Sequence, residues 1–456
     1  MFFSLRVVAA WASLLCVVAL APGLAFGGGI LRGGAVGGIF IDPQGVVSTP
    51  DKGDAEQLLA VWQSGLNPVP RDLQAYAERR YVSLRGLESQ VAEAARLQVP
   101  LGDAVRYMAG LLRVEYVLIY PPSEERPQGD VVLAGPAEGW KVDALGNTVG
   151  ATTNRPVLML EDLIVAIRSS DQANGGGISC SIDPTPEGLV RVRQAGRALR
   201  RAAGPVAKAR LLEQALGQQV ISVSNVPATS HFARTLVAAD FRMKRLAMRF
   251  EPAPIDGLPS YLELIRHLRN VPKNVQPRWW LTTNYEPLKT DGDGLAWQIR
   301  GQGVKCMTEE SIVNADGKLT RTGKAGPFAQ KWAAMLTERF DELADHDSAF
   351  GHLRNAFDLA IVAAVLGRER ALERVKLEAP QITGAYKLEE YHAPKHVASQ
   401  ASFIDNGPSS WIITASGGVQ TYPWEIADNS EVDAGVSRVR DDAVAVAGAG
   451  SNWWWQ

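Results

Sequence analysis

Cysteine and histidine are both scarce in this chain, with 3 and 6 among 456 residues. So little cysteine excludes a small disulfide-framed scaffold and any zinc site built on thiolates alone. An excess of one charge is also missing. Lysine and arginine number 47 against 49 aspartate and glutamate, a formal charge of −2. That balance is too even for the strong basic field of bulk nucleic-acid binding, so no nucleic-acid partner is expected. Beyond the first two dozen residues, no apolar run reads as long enough for the roughly twenty residues a bilayer span needs. Short catalytic signatures are missing too: there is no Gly-x-Ser-x-Gly elbow, no phosphate loop and no His-Glu-x-x-His. What remains is a chain that is 46% hydrophobic, long enough for two or three domains with real cores.

The leader is the clearest feature present. Met1-Phe2-Phe3-Ser4-Leu5-Arg6 precedes an apolar run from Val7 to Leu20, with small residues at Gly23 and Ala25. That is the pattern of a secretory signal peptide over 1–25, cleaved after Ala25. Cys16 follows Leu14-Leu15, so a lipoprotein signal is not indicated. The expected location is secreted or periplasmic, at the cell envelope, with no transmembrane segment in the mature chain. Removing Arg6 leaves 46 basic side chains against 49 acidic ones. Cys180 and Cys306 then remain, and in an oxidising compartment a Cys180–Cys306 disulfide is the expectation to test against two buried free thiols.

Past a glycine-rich lead-in (26–38), the chain is organised around the stretch Gly175 to Leu189. Ile178, Cys180 and Ile182 alternate with Ser179 and Ser181, which predicts a strand with one apolar face. Asp183-Pro184 ends it, and Thr185 with Pro186 and Glu187 predicts a capped helix start. A related block, Gly37-Gly38-Ile39-Phe40-Ile41-Asp42-Pro43, opens the mature chain. The repeat predicts an internal duplication of an α/β unit, the first over 39–170 and the second over 171–326. Within the first, 114–120 and 130–135 read as a β-hairpin, and 54–66 as helical. Phe328, Trp332, Leu336, Phe340 and Leu343 form one helical stripe, and Phe350, Leu353, Phe357 and Ile361 another. Together they predict an antiparallel helical hairpin over 327–375. A C-terminal β/loop region (376–427) and a disordered tail (428–456) complete an α+β reading with mixed sheets.

Several blocks resemble a family of secreted planctomycetal proteins of unknown function. They include Tyr81-Val82-Ser83-Leu84-Arg85-Gly86-Leu87, Tyr116 to Pro121, Leu133 to Trp140, Gly177 to Pro184, His231-Phe232-Ala233 and Ala239 to Lys244. The resemblance implies a bacterial, exported protein. It carries no activity, cofactor or catalytic residue to transfer.

Metal sites find little support. Pro394 between His392 and His396 prevents a helical pair of ligands, and Asp345-His346-Asp347 with His352 suits a hydrated turn. Asp291-Gly292-Asp293-Gly294 and Asn314-Ala315-Asp316-Gly317 suit hairpins and lack the distal glutamate of a calcium loop. No metal or cofactor is expected. The candidate polar cluster is Asp183, His231, Asp240, Arg242 and Lys244, charged groups set in or beside apolar, glycine-bounded segments. Arg191, Arg193, Arg197, Arg200, Arg201, Lys208 and Arg210 form a basic segment that an anionic envelope polymer would suit, a solvated helix face being the plainer reading. The expected function is a non-catalytic structural or binding component of the envelope, its partner an envelope protein or anionic polymer. The alternative is a hydrolase acting on an envelope polymer.

Overall fold

The structure is a computed structural model describing residues 38–49, 59, 63–124, 127–268, 275–313, 319–404, 411–446 and 454–455. The leader, nearly all of the glycine-rich lead-in and most of the helix expected over 54–66 lie outside these residues.

The described chain opens with a hairpin, β1 (Phe40–Ile41) and β2 (Val46–Ser48). Asp42 closes its turn, accepting from the Gln44 and Val46 N–H groups at 2.9 and 2.8 Å. β3 (Ala77–Ser83) runs into α1 (Leu84–Leu97), capped by the Ser83 hydroxyl. β4 (Tyr116–Tyr120) and β5 (Asp130–Ala137) form the expected hairpin, with Tyr120 opposite Asp130. A short pair, β6 (Trp140–Val142) and β7 (Thr148–Gly150), leads to α2 (Leu160–Gly176). β8 (Ile178–Pro184) alternates as its sequence predicts, burying Ile178, Cys180 and Ile182. Thr185 caps α3 (Pro186–Gln194), accepting from the Gly188 N–H at 3.0 Å. Then come α4 (Gly196–Arg201), α5 (Gly204–Leu216), β9 (Gln218–Ser224) and α6 (His231–Ala247).

β10 (Val275–Asn284), β11 (Leu288–Thr290), β12 (Ala296–Gln298), β13 (Gly303–Val313) and β14 (Leu319–Arg321) follow. Helices α7 (Pro327–Glu338), α8 (Phe340–His346) and α9 (Ser348–Arg368) come next. The last part holds β15 (His396–Ala398), β16 (Ser402–Ile404), β17 (Trp411–Ile413), β18 (Ser416–Thr421), α10 (Pro423–Asp428), β19 (Ser430–Val432), α11 (Gly435–Val446) and β20 (Trp454–Trp455). The fold is α+β with mixed sheets. The large sheet runs β1-β2-β15-β9-β8-β18-β10-β13-β14, and the smaller one β19-β11-β12-β4-β5-β3-β20. Parallel pairs (β2 with β15, β10 with β18, β11 with β19) break otherwise antiparallel ladders.

Both sheets draw strands from both stretches read as duplicated units. β1 and β2 join the large sheet, while β11 and β12 join the smaller. The two Ile-Asp-Pro blocks also differ locally: the first turns a hairpin, the second enters a helix. In the helical region, the stripe from Phe328 to Leu343 is two helices, because Arg339 leaves helical geometry at φ −102°, ψ 13°. α7 lies on β13, and only α8 pairs with α9. α9 is buried on every side from Ala349 to Leu366, its polar His352, Arg354, Asn355 and Asp358 included, as a helix enclosed by other elements is. Its 21 residues are long and apolar enough to cross a membrane, yet the whole apolar window is buried among α2, α6, α8 and α10.

Two expectations are corrected here. Cys180 and Cys306 are free and buried. Cys180 stands opposite Val419, Val419 opposite Leu281, and Leu281 opposite Cys306. The cysteines share one row of the large sheet, three strand spacings or roughly 14 Å apart, about twice the reach of a disulfide. The tail read as disordered from 428 onward is instead structured over much of its length. Val436, Val439 and Ala443, spaced three and four apart, lay one face of α11 on the smaller sheet. There Val436 and Ala443 join Tyr81, Tyr116, Leu118, Tyr120, Val132, Ala134 and Ala296 in an apolar cluster. The Tyr120 hydroxyl donates to the Arg440 carbonyl at 2.8 Å, and β20 pairs with the edge of β3.

Candidate functional site

Three segments converge where the first turns of α2 and α6 meet the chain between 386 and 391. α6 begins at a cap, with the Ser230 hydroxyl accepting from the Ala233 N–H at 3.1 Å. That fixes His231 and Arg234, three residues apart, on one side of its first turn. The Tyr391 N–H donates to the Thr229 carbonyl at 2.9 Å, tying the third segment to the helix start. Glu161 and Asp162 occupy the first turn of α2, where negative charge complements the helix dipole.

The contacts are close. His231 Nδ1 lies 2.9 and 3.1 Å from the two Asp162 oxygens. The Tyr391 hydroxyl donates to Glu161 at 2.9 Å. The Arg234 guanidinium lies over the Tyr391 ring, 5.2 Å from its centre, and the His352 ring meets His231 edge-on at 5.6 Å. Arg106 and Glu389 form an ion pair at 3.8 Å. In front of Glu161 a cavity of about 40 Å³ is lined by Leu101, Arg106, Met159, Leu160, Tyr386 and Glu389. That volume holds two or three waters or the head of a small polar group.

Burial governs the electrostatics. It pushes Glu161 up to about 7, with Asp162 and Glu389 adding to the rise and His231 and Tyr391 opposing it. It also pulls His231 down, but the charge and hydrogen bond of Asp162 outweigh it, and the imidazole ends above its ordinary range. His352, buried beside that cation, is pushed down to about 3 and stays neutral. Arg234 is completely enclosed, and burial lowers it to about 10. Its Nε, Nη1 and Nη2 atoms find no acceptor among the described residues. With Glu161 protonated, His231 balances Asp162 and Arg106 balances Glu389, leaving the charge of Arg234 unmatched. A buried cation whose three donor nitrogens are unused is a site for an anion or for ordered water.

Residues 180–261 match a family model described as protein of unknown function (DUF1598). The matched stretch holds most of β8, α3 to α5, β9 and α6, and so includes His231 and Arg234 but not Glu161, Glu389 or Tyr391. No curated protein and no solved structure matches the chain.

The five residues expected to cluster fall in different places. Asp240 follows His231 by nine residues, about two and a half turns, so it faces the opposite side of α6. There the Lys244 ammonium donates to Asp240 and to the Ile182 carbonyl, both at 2.9 Å. Burial pushes Asp240 up to about 6, with Lys244 pulling against it. Arg242 donates to Asp347 at 2.7 Å and also contacts Glu251. Asp183 lies on the other face of the large sheet, in a cleft shared with Arg278 and Trp280, because successive strand residues alternate sides. His231 alone belongs to the convergent site. Sequence reading missed Glu161, Arg234, Glu389 and Tyr391. The legible signal was His231 and Arg234 at helical spacing in the first half of α6, which as far as Ala239 is otherwise apolar but for Thr235. Glu161 has an ordinary local role at the start of α2, and the chain over 387–391 has no helix or strand to mark it.

A wider cleft of about 530 Å³ lies elsewhere, lined by Arg79, Arg113, Arg155, Arg354, Glu115 and other charged groups. Most of its arginines are matched. Arg113 pairs with Asp358 at 2.8 Å, Arg155 with Asp345 at 3.1 Å, and Arg354 with Asp345 at 3.0 Å. Among the described residues its Arg79, Arg155 and Arg354 Nε atoms are buried without a hydrogen-bond acceptor, one nitrogen on each side chain, whereas Arg234 has all three in that state.

Proposed function

We propose that this is an exported envelope protein that binds a small anionic group, a carboxylate or phosphate, at Arg234. One observation carries the reading: a wholly enclosed guanidinium whose three nitrogens have no acceptor among the described residues, in a cluster whose Glu161 lines a small cavity. Protonated Glu161 adds a hydroxyl donor, and the neighbouring ion pairs cancel, so the site favours a single negative charge. The apolar leader supports export. A non-catalytic binding role fits the size of the cavity, which admits a terminal group and not a polymer backbone.

The test uses acetate, inorganic phosphate and sulfate as probes against the full mature chain, by calorimetry and thermal shift. Wild-type protein is expected to bind at least one, and Arg234→Met to weaken that binding about tenfold or more. Replacing an unpaired buried charge by an apolar side chain of similar length should leave stability unchanged or raise it. Equal binding by wild type and variant overturns the reading, as does no binding of any probe.

A second reading rests on a different observation. Glu161, near 7 and beside a His–Asp pair, holds a proton at neutral pH and can release it there, as general acids and bases do. That supports hydrolysis of a bond adjacent to the bound anionic group. Turnover of an anionic ester or glycoside that Glu161→Gln abolishes while phosphate or acetate binding persists would favour the enzyme; binding without turnover favours the first reading.

A further inference from the structure

The helical arm from α3 to α5 stands apart from the site just described. Over 186–216 it carries seven basic side chains (Arg191, Arg193, Arg197, Arg200, Arg201, Lys208, Arg210) against two acidic ones, in a chain of net charge −2. Arg191 is used internally, donating to the Ala215 and Leu216 carbonyls at 2.9 and 3.0 Å, which ties α3 to the end of α5. The others are deployed differently. Arg197, Arg200, Arg201 and Arg210 are exposed and Lys208 is half-buried. Among the described residues, none of these five makes an ion pair. Arg197 and Arg200, three residues apart in α4, lie on one face of that helix, with Arg201 next in sequence. Like charges at that spacing repel and destabilise a helix, and α4 carries no acidic residue to offset it.

We infer that this arm is a docking surface for a polyanionic polysaccharide, one bearing carboxylate groups along its length. The exposed guanidinium groups of Arg197, Arg200, Arg201 and Arg210 complement a line of negative charge and bind carboxylates through paired donors. Two other polyanions fit less well. The arm has no aromatic residue over 186–216, so it lacks the stacking platform that holds single-stranded nucleic acid. Val206 is its one large apolar side chain classed as exposed, so it lacks the apolar face that seats a helix in a bilayer surface. The inference does not depend on Arg234.

The test is retention of the full mature chain on immobilised polygalacturonate at low ionic strength. Wild type is expected to be retained and to elute with salt, as screened charge contacts do. Arg197→Gln with Arg200→Gln and Arg201→Gln should weaken retention about tenfold or more. Those side chains are exposed or solvent-facing, so circular dichroism and thermal midpoint should be unchanged, and binding of phosphate or acetate at Arg234 should persist. Arg234→Met should show the reverse pattern. The inference is overturned if the triple variant is retained like wild type. It is equally overturned if wild type flows through, or if phosphatidylglycerol vesicles or single-stranded DNA hold it more tightly than the polysaccharide.

Discussion

Burial pushes the Glu161 carboxyl and the two thiols in the same direction, toward the neutral form, and each shift has a measurable consequence. Glu161 titrates near 7 in the folded protein against an ordinary 4.5, so the folded state holds this proton more tightly than the unfolded chain. The corresponding stability is complete below about pH 4.5 and is lost as pH rises through 7. His231, raised by Asp162, moves the same way. Glu161→Gln removes the Glu161 part. Urea unfolding at pH 4.5 and pH 8 should show the variant gaining on wild type at the higher pH, by roughly 3 kcal/mol. A gap that is the same at both pH values means Glu161 does not titrate in that window. Burial also raises the Cys180 and Cys306 thiols, and both are nearly fully enclosed. Maleimide should label neither in the native protein and both in urea under non-reducing conditions; a native chain with no free thiol after unfolding would contradict the strand register that separates them.

At the scale of elements, what the sequence made legible was local. The Thr185 cap, the alternation of β8 and the β4–β5 hairpin each follow from residues within a few positions of one another. What was not legible needed partners distant in the chain. Three valine and alanine positions in α11 are too sparse to announce a core helix, and they acquire meaning only over the tyrosine-rich face of β3, β4 and β5. The candidate site has the same character, since Glu161, Arg234 and Tyr391 come from three segments and each has an ordinary local explanation. Ending the chain after Asp433 tests the α11 docking. It uncovers Tyr120, Leu118 and Val132 and removes Val436 and Ala443 from their cluster. The loss should be on the order of 3 kcal/mol from apolar burial, with new binding of a hydrophobic dye. An unchanged urea midpoint would mean the helix does not cover that face.

At the scale of the molecule, the large sheet is closed by pairings between remote segments. Val46 lies opposite His396, and Cys180 opposite Val419. The enclosed helix α9 is held by α2 and α6 from the earlier part of the chain and by α8 and α10 from the later part. Neither part can therefore satisfy its own strands or cover its own apolar faces. A chain split after Pro252 makes the point testable. The first fragment, from Phe26, keeps β8 and β9 but loses β18, β10 and α9, so one edge of β8 and the buried sides of α2 and α6 would face water. The second keeps α9 without the helices that enclose it. Each fragment alone should lack sharp near-ultraviolet dichroism and a cooperative transition, and mixing the two should restore both. Because the restored contacts are mostly long-range, reassembly should be slow, over seconds or longer. Cooperative unfolding of the first fragment by itself at the full-length midpoint would show that the sheet's remote pairings are not what holds it together.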